Sequence, residues 1–356
     1  MRRLTLALAI GVFMLGATLW QSHSGALAQG RTPAGTGHQG DAFRFNKVAD
    51  GVYHVVGTGA LTVVGNGAVI VNDDDVVVVD DHVSPAAAWV LLEEVKKITP
   101  KPVRYVINTH FHYDHSSGNQ IFGAGVDIIG HEFTREMLAS GKPLQMSLYK
   151  GYVDGLPNQI ATLRDRVAKE QDATAKARLQ TQLTSTENNL ASQKELKLVP
   201  PNMTLKTEMT LFRGSREIQL RYLGRGHTAG DVVVYLPKEK VVITGDFLTA
   251  GMSNLSDSYP EEWAASLDAL KKLDFTTVLP GHGEAYTDKA KIDYYQAYLR
   301  DAWAQASKLK QQGVSAEEAS KRIDMSGHKD HYPPNTNLAV NALGTQRMYE
   351  LLDAKR

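Results

Sequence analysis

The stretch from Asn108 to His115 holds three histidines and an aspartate within six positions, at His110, His112, Asp114 and His115. Imidazole nitrogens and carboxylate oxygens bind transition metals such as zinc, so this composition indicates a metal site. His110 and His112 lie two residues apart and point the same way from an extended backbone, so they can hold one ion together. Asp114 and His115 are adjacent where the chain must turn, and they can face a second ion.

The elements that must position these residues are short, buried strands. A stretch rich in valine and isoleucine, from Val103 to Ile107, leads into the histidines, and its composition predicts a strand that ends at the metal loop. Three later motifs place further candidate donors in turns or at the ends of predicted strands. They are Gly226-His227-Thr228, Gly245-Asp246 and Pro280-Gly281-His282-Gly283. Glycines beside these donors allow the backbone to turn closely at each one.

The H-x-H-x-D-H pattern, followed in order by a histidine, an aspartate and a histidine, resembles the signature of the metallo-β-lactamase superfamily. The resemblance runs from about Gly51 to about Gly283. It implies an α+β fold, a four-layer αββα sandwich, here with a helical insertion and C-terminal helices. The implied metal ligands are His110, His112 and His227 for one ion, Asp114, His115 and His282 for the other, and Asp246 as a bridge between the two ions.

The implied cofactors are two zinc ions, although iron or manganese also suits nitrogen and oxygen donors. Two ions about 3.5–4 Å apart can share a water, and zinc lowers the pKa of that water to about 7. We therefore expect hydrolysis, with Asp114 orienting the nucleophile and carrying its proton. In the resembling family an acidic residue at an earlier strand end supports the metal loop. Asp80 is the candidate for that role, and a plain loop role for Asp80 is the alternative.

The composition limits the classes of function. The chain contains no cysteine, which excludes disulfides and thiolate metal ligands, including the cysteine ligand of some β-lactamases. Basic and acidic residues balance at 39 each, so bulk charge gives no reason to expect a nucleic-acid partner. We expect a small-molecule substrate, and the sequence does not indicate an oligomeric state.

The N-terminus has the pattern of a secretory signal peptide, with Arg2 and Arg3, an apolar run, and a small-residue cleavage motif that ends at Ala28. We expect a periplasmic or secreted protein, cleaved after Ala28 and without a stable membrane anchor; a retained anchor is the alternative. The predicted organisation is a signal peptide at 1–28, a flexible leader at 29–41, a metallo-β-lactamase-like domain at 42–300 and a C-terminal helical extension at 301–356.

Residues 140–200 differ from the strand-rich segments around them. Ile160, Leu163 and Val167 lie at helical spacing, and sparse leucines continue the stripe between polar residues. This predicts a helical hairpin inserted in the domain, with a role as a lid or subunit contact left open. Among the strands, we expect one from Leu61 to Val64.

The expected substrate is a cyclic amide or ester, of the β-lactam or lactone type. Export to the cell envelope favours a β-lactam, whereas Asp246 as a donor resembles glyoxalase II and lactonases. The alternatives on the same fold are thioester, phosphodiester or sulfate-ester hydrolysis, or a mononuclear iron dioxygenase with the same donors. A zinc-stabilised binding protein is the non-enzymatic alternative.

Overall fold

The computed structural model describes residues 31–354, in which two β-sheets pack face to face. The first sheet consists, in spatial order, of β1 (Phe43–Ala49), β2 (Val52–Gly57), β3 (Gly67–Val71), β4 (Val76–Val79), β5 (Val103–Ile107), β6 (Asp127–His131) and β7 (Met203–Leu205). The second sheet consists of β8 (Glu208–Arg213), β9 (Arg216–Tyr222), β10 (Val232–Leu236), β11 (Val241–Gly245) and β12 (Thr277–Pro280), in the spatial order β12-β11-β10-β9-β8.

Each sheet changes from antiparallel to parallel pairing close to the predicted donors. In the first sheet, β1 to β4 pair antiparallel, and β4 to β7 pair parallel. In the second sheet, β8 to β11 pair antiparallel, and β12 lies parallel to β11. Parallel neighbours end at the same edge of a sheet, so the segments that follow β4 and β5, and those that follow β11 and β12, are brought together.

Strand β4 shows why an unbroken valine run belongs inside this fold. Val76 and Val78 pack in the apolar layer between the first sheet and its helices, whereas Val77 and Val79 face the second sheet. All four side chains are buried. A strand that is covered on both faces needs apolar residues at every position, which the alternating pattern of a half-exposed strand would not supply.

Helices lie over the outer faces of both sheets and in the connections between strands. They are α1 (Pro85–Ile98), α2 (Tyr113–Ser116), α3 (Glu132–Ser140), α4 (Ser147–Lys169), α5 (Ala173–Gln193), α6 (Pro260–Lys271), α7 (Ala290–Gln311), α8 (Ala316–Arg322) and α9 (Ala342–Asp353). Helix α1 packs on the first sheet, and α6 to α9 pack on the second. The predicted αββα sandwich with C-terminal helices is therefore confirmed. Within residues 31–354, no helix is both long enough and apolar enough to cross a membrane.

The helical hairpin predicted between the two halves of the domain consists of α4 and α5. Leu156 and Ile160 on α4, and Leu179 and Leu183 on α5, are its buried apolar side chains. The described part of the predicted leader, residues 31–41, contacts the chain just beyond α5, where the backbone N–H of Ala34 donates to a Glu195 carboxylate oxygen at 2.9 Å. The predicted signal peptide and cleavage site lie outside the described residues.

The strand predicted from Leu61 to Val64 is wrong. This segment is a loop in which Leu61 and Val63 are buried and Val64 has a positive φ of 64°. At its end, the backbone N–H of Asn66 donates to the carbonyl of Gly281 at 2.7 Å, next to a predicted metal ligand, instead of continuing a ladder between strands. The contact with a distant loop decides its conformation. Strand β1 and the three-residue strand β7 were not predicted.

Candidate metal centre

The first sheet delivers four of the predicted donors from a single loop. Strand β5 ends at Ile107, and the chain continues through His110 and His112 into the single turn of α2. Asp114 and His115 lie in that turn, which His112 precedes at the N-cap position. All four side chains are buried, so the loop turns its polar groups inward, towards the second sheet.

The second sheet supplies the other three donors at the same edge of the sandwich. His227 lies between β9 and β10, Asp246 directly follows β11, and His282 follows β12. Gly245 has a positive φ of 50°, and a Cβ atom at this position would lie 2.3 Å from Thr109 Oγ1. Only glycine permits this close approach of the two loops, which sets Asp246 opposite the histidines of the first sheet.

The structure brings all seven predicted donors together. Their ligand atoms form three groups, each with its members within 4.8 Å of one another: His110, His112 and His227; Asp114, His115 and His282; and His110, His115 and Asp246. The third group takes one histidine from each of the other two, so Asp246 lies between them. Asp246 Oδ1 is 3.4 Å from His115 Nε2, and Asp246 Oδ2 is 3.6 Å from His227 Nε2.

The donor atoms fit a pair of metal ions. His110 Nε2, His115 Nε2 and Asp246 Oδ1 are buried and have no hydrogen-bond partner among the described residues. Buried polar atoms without a partner are costly, so several of them around one space indicate that a ligand satisfies them. Nitrogen and oxygen donors without sulfur suit zinc, and they also suit iron or manganese.

Comparison with known protein families identifies the family of this chain. Residues 61–282, more than half of the chain, match the model of the metallo-beta-lactamase superfamily. The chain belongs to this superfamily. The matched range begins in the loop before β3 and ends at the last predicted metal ligand, His282, so it includes every predicted donor.

Curated relatives of this superfamily member carry two kinds of name. A linear primary-alkylsulfatase of Pseudomonas sp. (strain ATCC 19151) is 23% identical over 266 residues, which cover 68% of this chain and 47% of the relative. A metallo-beta-lactamase type 2 of Bacillus cereus is 31% identical over 86 residues, which cover 22% of this chain and 34% of the relative. The chain thus spans less than half the length of these curated relatives.

Solved structures of the same two kinds share the fold. The sec-alkylsulfatase Pisa1 from Pseudomonas sp. superposes with a TM-score of 0.61 and 19% identity, and covers 86% of this chain and 49% of that one. A metallo-beta-lactamase from Pontibacter korlensis superposes with a TM-score of 0.51 and 18% identity, over 72% of this chain and 99% of that one.

Two histidines of the first donor group in this superfamily member, His110 and His227, are electrically neutral. Burial, together with the neighbouring His112, lowers the pKa of His227 to about 3. Burial also lowers the pKa of His110 well below its usual range, and the nearby His115 adds to the shift. Both imidazoles are therefore unprotonated at neutral pH, which is the form that binds a metal.

The carboxylates of Asp114 and Asp246 carry the negative charge of the site. Burial works to lower the pKa of His282, but Asp246 and Asp114 raise it to about 10. Burial works to raise the pKa of Asp114, but His115 and His282 hold it well below its usual range. The pKa of Asp246 is likewise well below its usual range, against burial. Two ionised carboxylates are therefore available to balance the charge of two dications.

Asp80 lies behind the donors and orients two of them. Its carboxylate accepts hydrogen bonds from Thr109 N at 2.7 Å, Thr109 Oγ1 at 2.8 Å and His115 Nδ1 at 2.8 Å. Because Nδ1 of His115 carries the donated proton, Nε2 keeps its lone pair for a metal. The Thr109 hydroxyl gives its proton to Asp80, so it accepts one from His110 Nδ1 at 3.0 Å. Asp80 is therefore placed to support the metal loop, and its role is more than that of an ordinary loop residue.

Two further aspartates shape the site, and sequence reasoning missed both. Asp257 Oδ2 lies 3.1 Å from His112 Nε2, so His112 Nδ1 faces the first group, 2.9 Å from His227 Nε2. No spacing pattern marks Asp257, which lies in the long loop before α6. Asp231 accepts hydrogen bonds from the Thr228 N–H and hydroxyl, which fixes the turn that carries His227. An aspartate three residues after a threonine, in a turn with glycine, was a readable signal.

Proposed function

We propose that the protein is a dinuclear zinc hydrolase that cleaves a cyclic amide or ester, of the β-lactam or lactone type. The observation that carries this proposal is the position of Asp246, whose two oxygens lie near histidines of both donor groups. One carboxylate placed in this way can contact two ions at once. The names of the relatives support hydrolysis as the reaction class, since alkylsulfatases and β-lactamases are both hydrolases.

Bound zinc ions would supply a water with a pKa near 7 and would polarise the substrate oxygen. The chain's own residues would position the substrate and the attacking water. The His282 side chain is 39% exposed, whereas those of Asp114 and Asp246 are 10% and 8% exposed. The substrate therefore approaches from the His282 side. Asp114 Oδ2 lies 3.2 Å from His282 Nε2 and 3.4 Å from His115 Nε2, so its carboxylate stands at this opening, where it can orient the attacking water and take its proton.

A sulfate ester is the second candidate substrate. The alkylsulfatase alignment covers 68% of this chain, against 22% for the β-lactamase alignment, so it includes parts of the chain beyond the shared metal motif. Among residues 31–354, the recorded ion pairs of the seven donors are all with aspartates or histidines, and none is with lysine or arginine. At the seven donors themselves, the positive charge that would face a sulfate ester would therefore come from bound metal ions or from protonated histidines.

The first experiment is metal analysis of the full-length protein, followed by turnover of β-lactams, lactones, thioesters, phosphodiesters and alkyl sulfates. We expect two zinc ions per chain and hydrolysis of a lactone or β-lactam, and none in a His110→Ala variant that lacks one donor. Turnover confined to alkyl sulfates would select the second candidate. Bound iron with oxygen consumption, or a zinc-loaded protein that cleaves nothing in the panel, would overturn the proposal.

Export through the predicted signal peptide is part of the proposal. The N-terminal pattern of Arg2, Arg3, an apolar run and Ala28 supports it. Mass spectrometry of the protein from the cell-envelope fraction should show a mature N-terminus at Gln29. An intact N-terminus on a cytosolic protein would contradict it.

A further inference from the structure

His282 is the most exposed of the seven predicted donors. It forms the second donor group with Asp114 and His115, and its side chain is 39% exposed, whereas that of His115 is fully buried. Glycines lie on both sides of His282, and Gly283 has a positive φ of 88°. Glycine loses more conformational entropy on ordering than any other residue, so neither burial nor local stiffness fixes this loop. Contacts from elsewhere in the chain must hold His282 in place.

Asn66 supplies such contacts from the other sheet. It lies directly before β3, it is buried, and it donates three hydrogen bonds to backbone carbonyls around His282. Its backbone N–H donates to Gly281 O at 2.7 Å. Its side-chain Nδ2 donates to Gly283 O at 2.7 Å and to Pro280 O at 3.3 Å. Asn66 therefore holds the chain on both sides of His282.

The residue before Asn66, Gly65, packs against the other two members of the second donor group. A Cβ atom at Gly65 would lie 2.7 Å from the carbonyl oxygen of Asp114 and 2.9 Å from His115 Cε1. The segment of Gly65 and Asn66 thus joins the turn of Asp114 and His115, from the first sheet, to the loop of His282, from the second. It contacts the chain at all three ligands that are predicted for one ion.

We propose that Asn66 is a positioning residue, whose side-chain amide holds the loop of His282 at the place where Asp114 and His115 can share a metal ion with it. This inference rests on the proposed dinuclear centre. His282 Nε2 lies 3.2 Å from Asp114 Oδ2 and 3.3 Å from Asp246 Oδ2, so the loop is held where these groups meet. A loop that is fixed in advance loses less conformational entropy when the ion binds, and the ion therefore binds more tightly.

Replacing Asn66 with leucine tests this role, because leucine has a similar shape and no group that can donate to Gly283 or Pro280. We expect the zinc affinity of the second donor group to fall by about 10–100-fold, as is usual when a metal ligand loses a supporting residue. The affinity of the first donor group, formed by His110, His112 and His227, should stay at the wild-type value. Competition with a chromophoric chelator, with zinc as the probe, measures the two affinities.

Asn72→Leu is the matched control. Asn72 directly follows β3, at the opposite end of the strand from Asn66, and it too is a buried asparagine whose Nδ2 donates a hydrogen bond, to Asp75 Oδ1 at 2.9 Å. This control variant should have a lower Tm and should bind both ions with wild-type affinity. An unchanged second ion in Asn66→Leu, or both ions weakened alike, would overturn the inference.

Hydrogen exchange in the metal-free protein tests the loop without reference to activity. The backbone amides of residues 281–284 should exchange faster in Asn66→Leu than in wild type, while those of α6 keep their wild-type rates. Asn66→Ala should give the same pattern, and it serves as the test if the leucine variant does not fold. Unchanged exchange in this loop would overturn the inference. A wild-type protein that binds fewer than two zinc ions would overturn the dinuclear proposal, and the exchange rates would still decide whether Asn66 holds the loop.

Discussion

Replacing Asp80 with asparagine should weaken metal binding at the group formed by Asp114, His115 and His282 without moving the backbone. Asp80 has a positive φ of 58°, a conformation that asparagine tolerates better than most residues, so the substitution adds little strain. The asparagine amide presents one oxygen and one NH₂ group. At least one of the hydrogen bonds from Thr109 or His115 would then face a donor instead of an acceptor.

The expected loss of metal affinity follows from the hydrogen bond between Asp80 and His115. It accepts the Nδ1 proton of His115 at 2.8 Å, and loss of such a partner of a metal-binding histidine typically lowers metal affinity by about 10–100-fold. That range corresponds to about 1.4–2.7 kcal/mol for the ion at this group. The ion held by His110, His112 and His227 should be affected less, since Asp80 reaches His110 only through Thr109.

Competition with a chromophoric chelator would measure the two affinities separately, and mass spectrometry would count the ions that remain. Asp50→Asn is the matched control, because the Asp50 side chain is fully exposed on the surface and pairs with Lys47. Two ions bound with wild-type affinity in Asp80→Asn would refute the reasoning, because the hydrogen bond to His115 would then have no role in holding the ligand.

Three further outcomes are expected. Asp246→Ala should reduce the stoichiometry from about two ions toward one, with activity at least ~100-fold lower; two ions at unchanged affinity would show that Asp246 is not a ligand. His110→Ala should abolish hydrolysis with little change in the circular dichroism spectrum, because the residue lies in a loop; near wild-type kcat with full metal content would contradict this. Burial lowers the pKa of His82 from 6.5 to about 4, so its contribution to stability is present above pH 6.5 and is lost as the pH falls through about 4. In the metal-free protein, denaturant titrations should show that the free energy of unfolding falls by about 3 kcal/mol more in wild type than in His82→Gln between pH 7 and pH 4. Equal losses in the two proteins would argue against the lowered pKa of His82.

The sequence by itself determined the donors and the kind of fold. His110, His112, Asp114 and His115 lie so close together that any loop after β5 must bring them to one place. The valine run of β4 could be read as a strand buried on both faces, because apolar residues occupy every position. Helical spacing from Ile160 onward likewise predicted the hairpin. These are local properties, since the period of the side chains follows from backbone geometry.

Only the tertiary structure decided how distant segments meet. The place of Asp246 between the donor groups depends on how the two sheets pack, and the support of His112 by Asp257 joins residues that are 145 positions apart. The segment from Leu61 to Val64 has a strand-like composition, yet the chain bonds at Asn66 to the loop of His282 and forms no ladder there. Residue spacing determines which side chains share a face of one element. Contacts between elements depend on the free energy of packing the whole chain, and this cannot be read from the residues of any single segment.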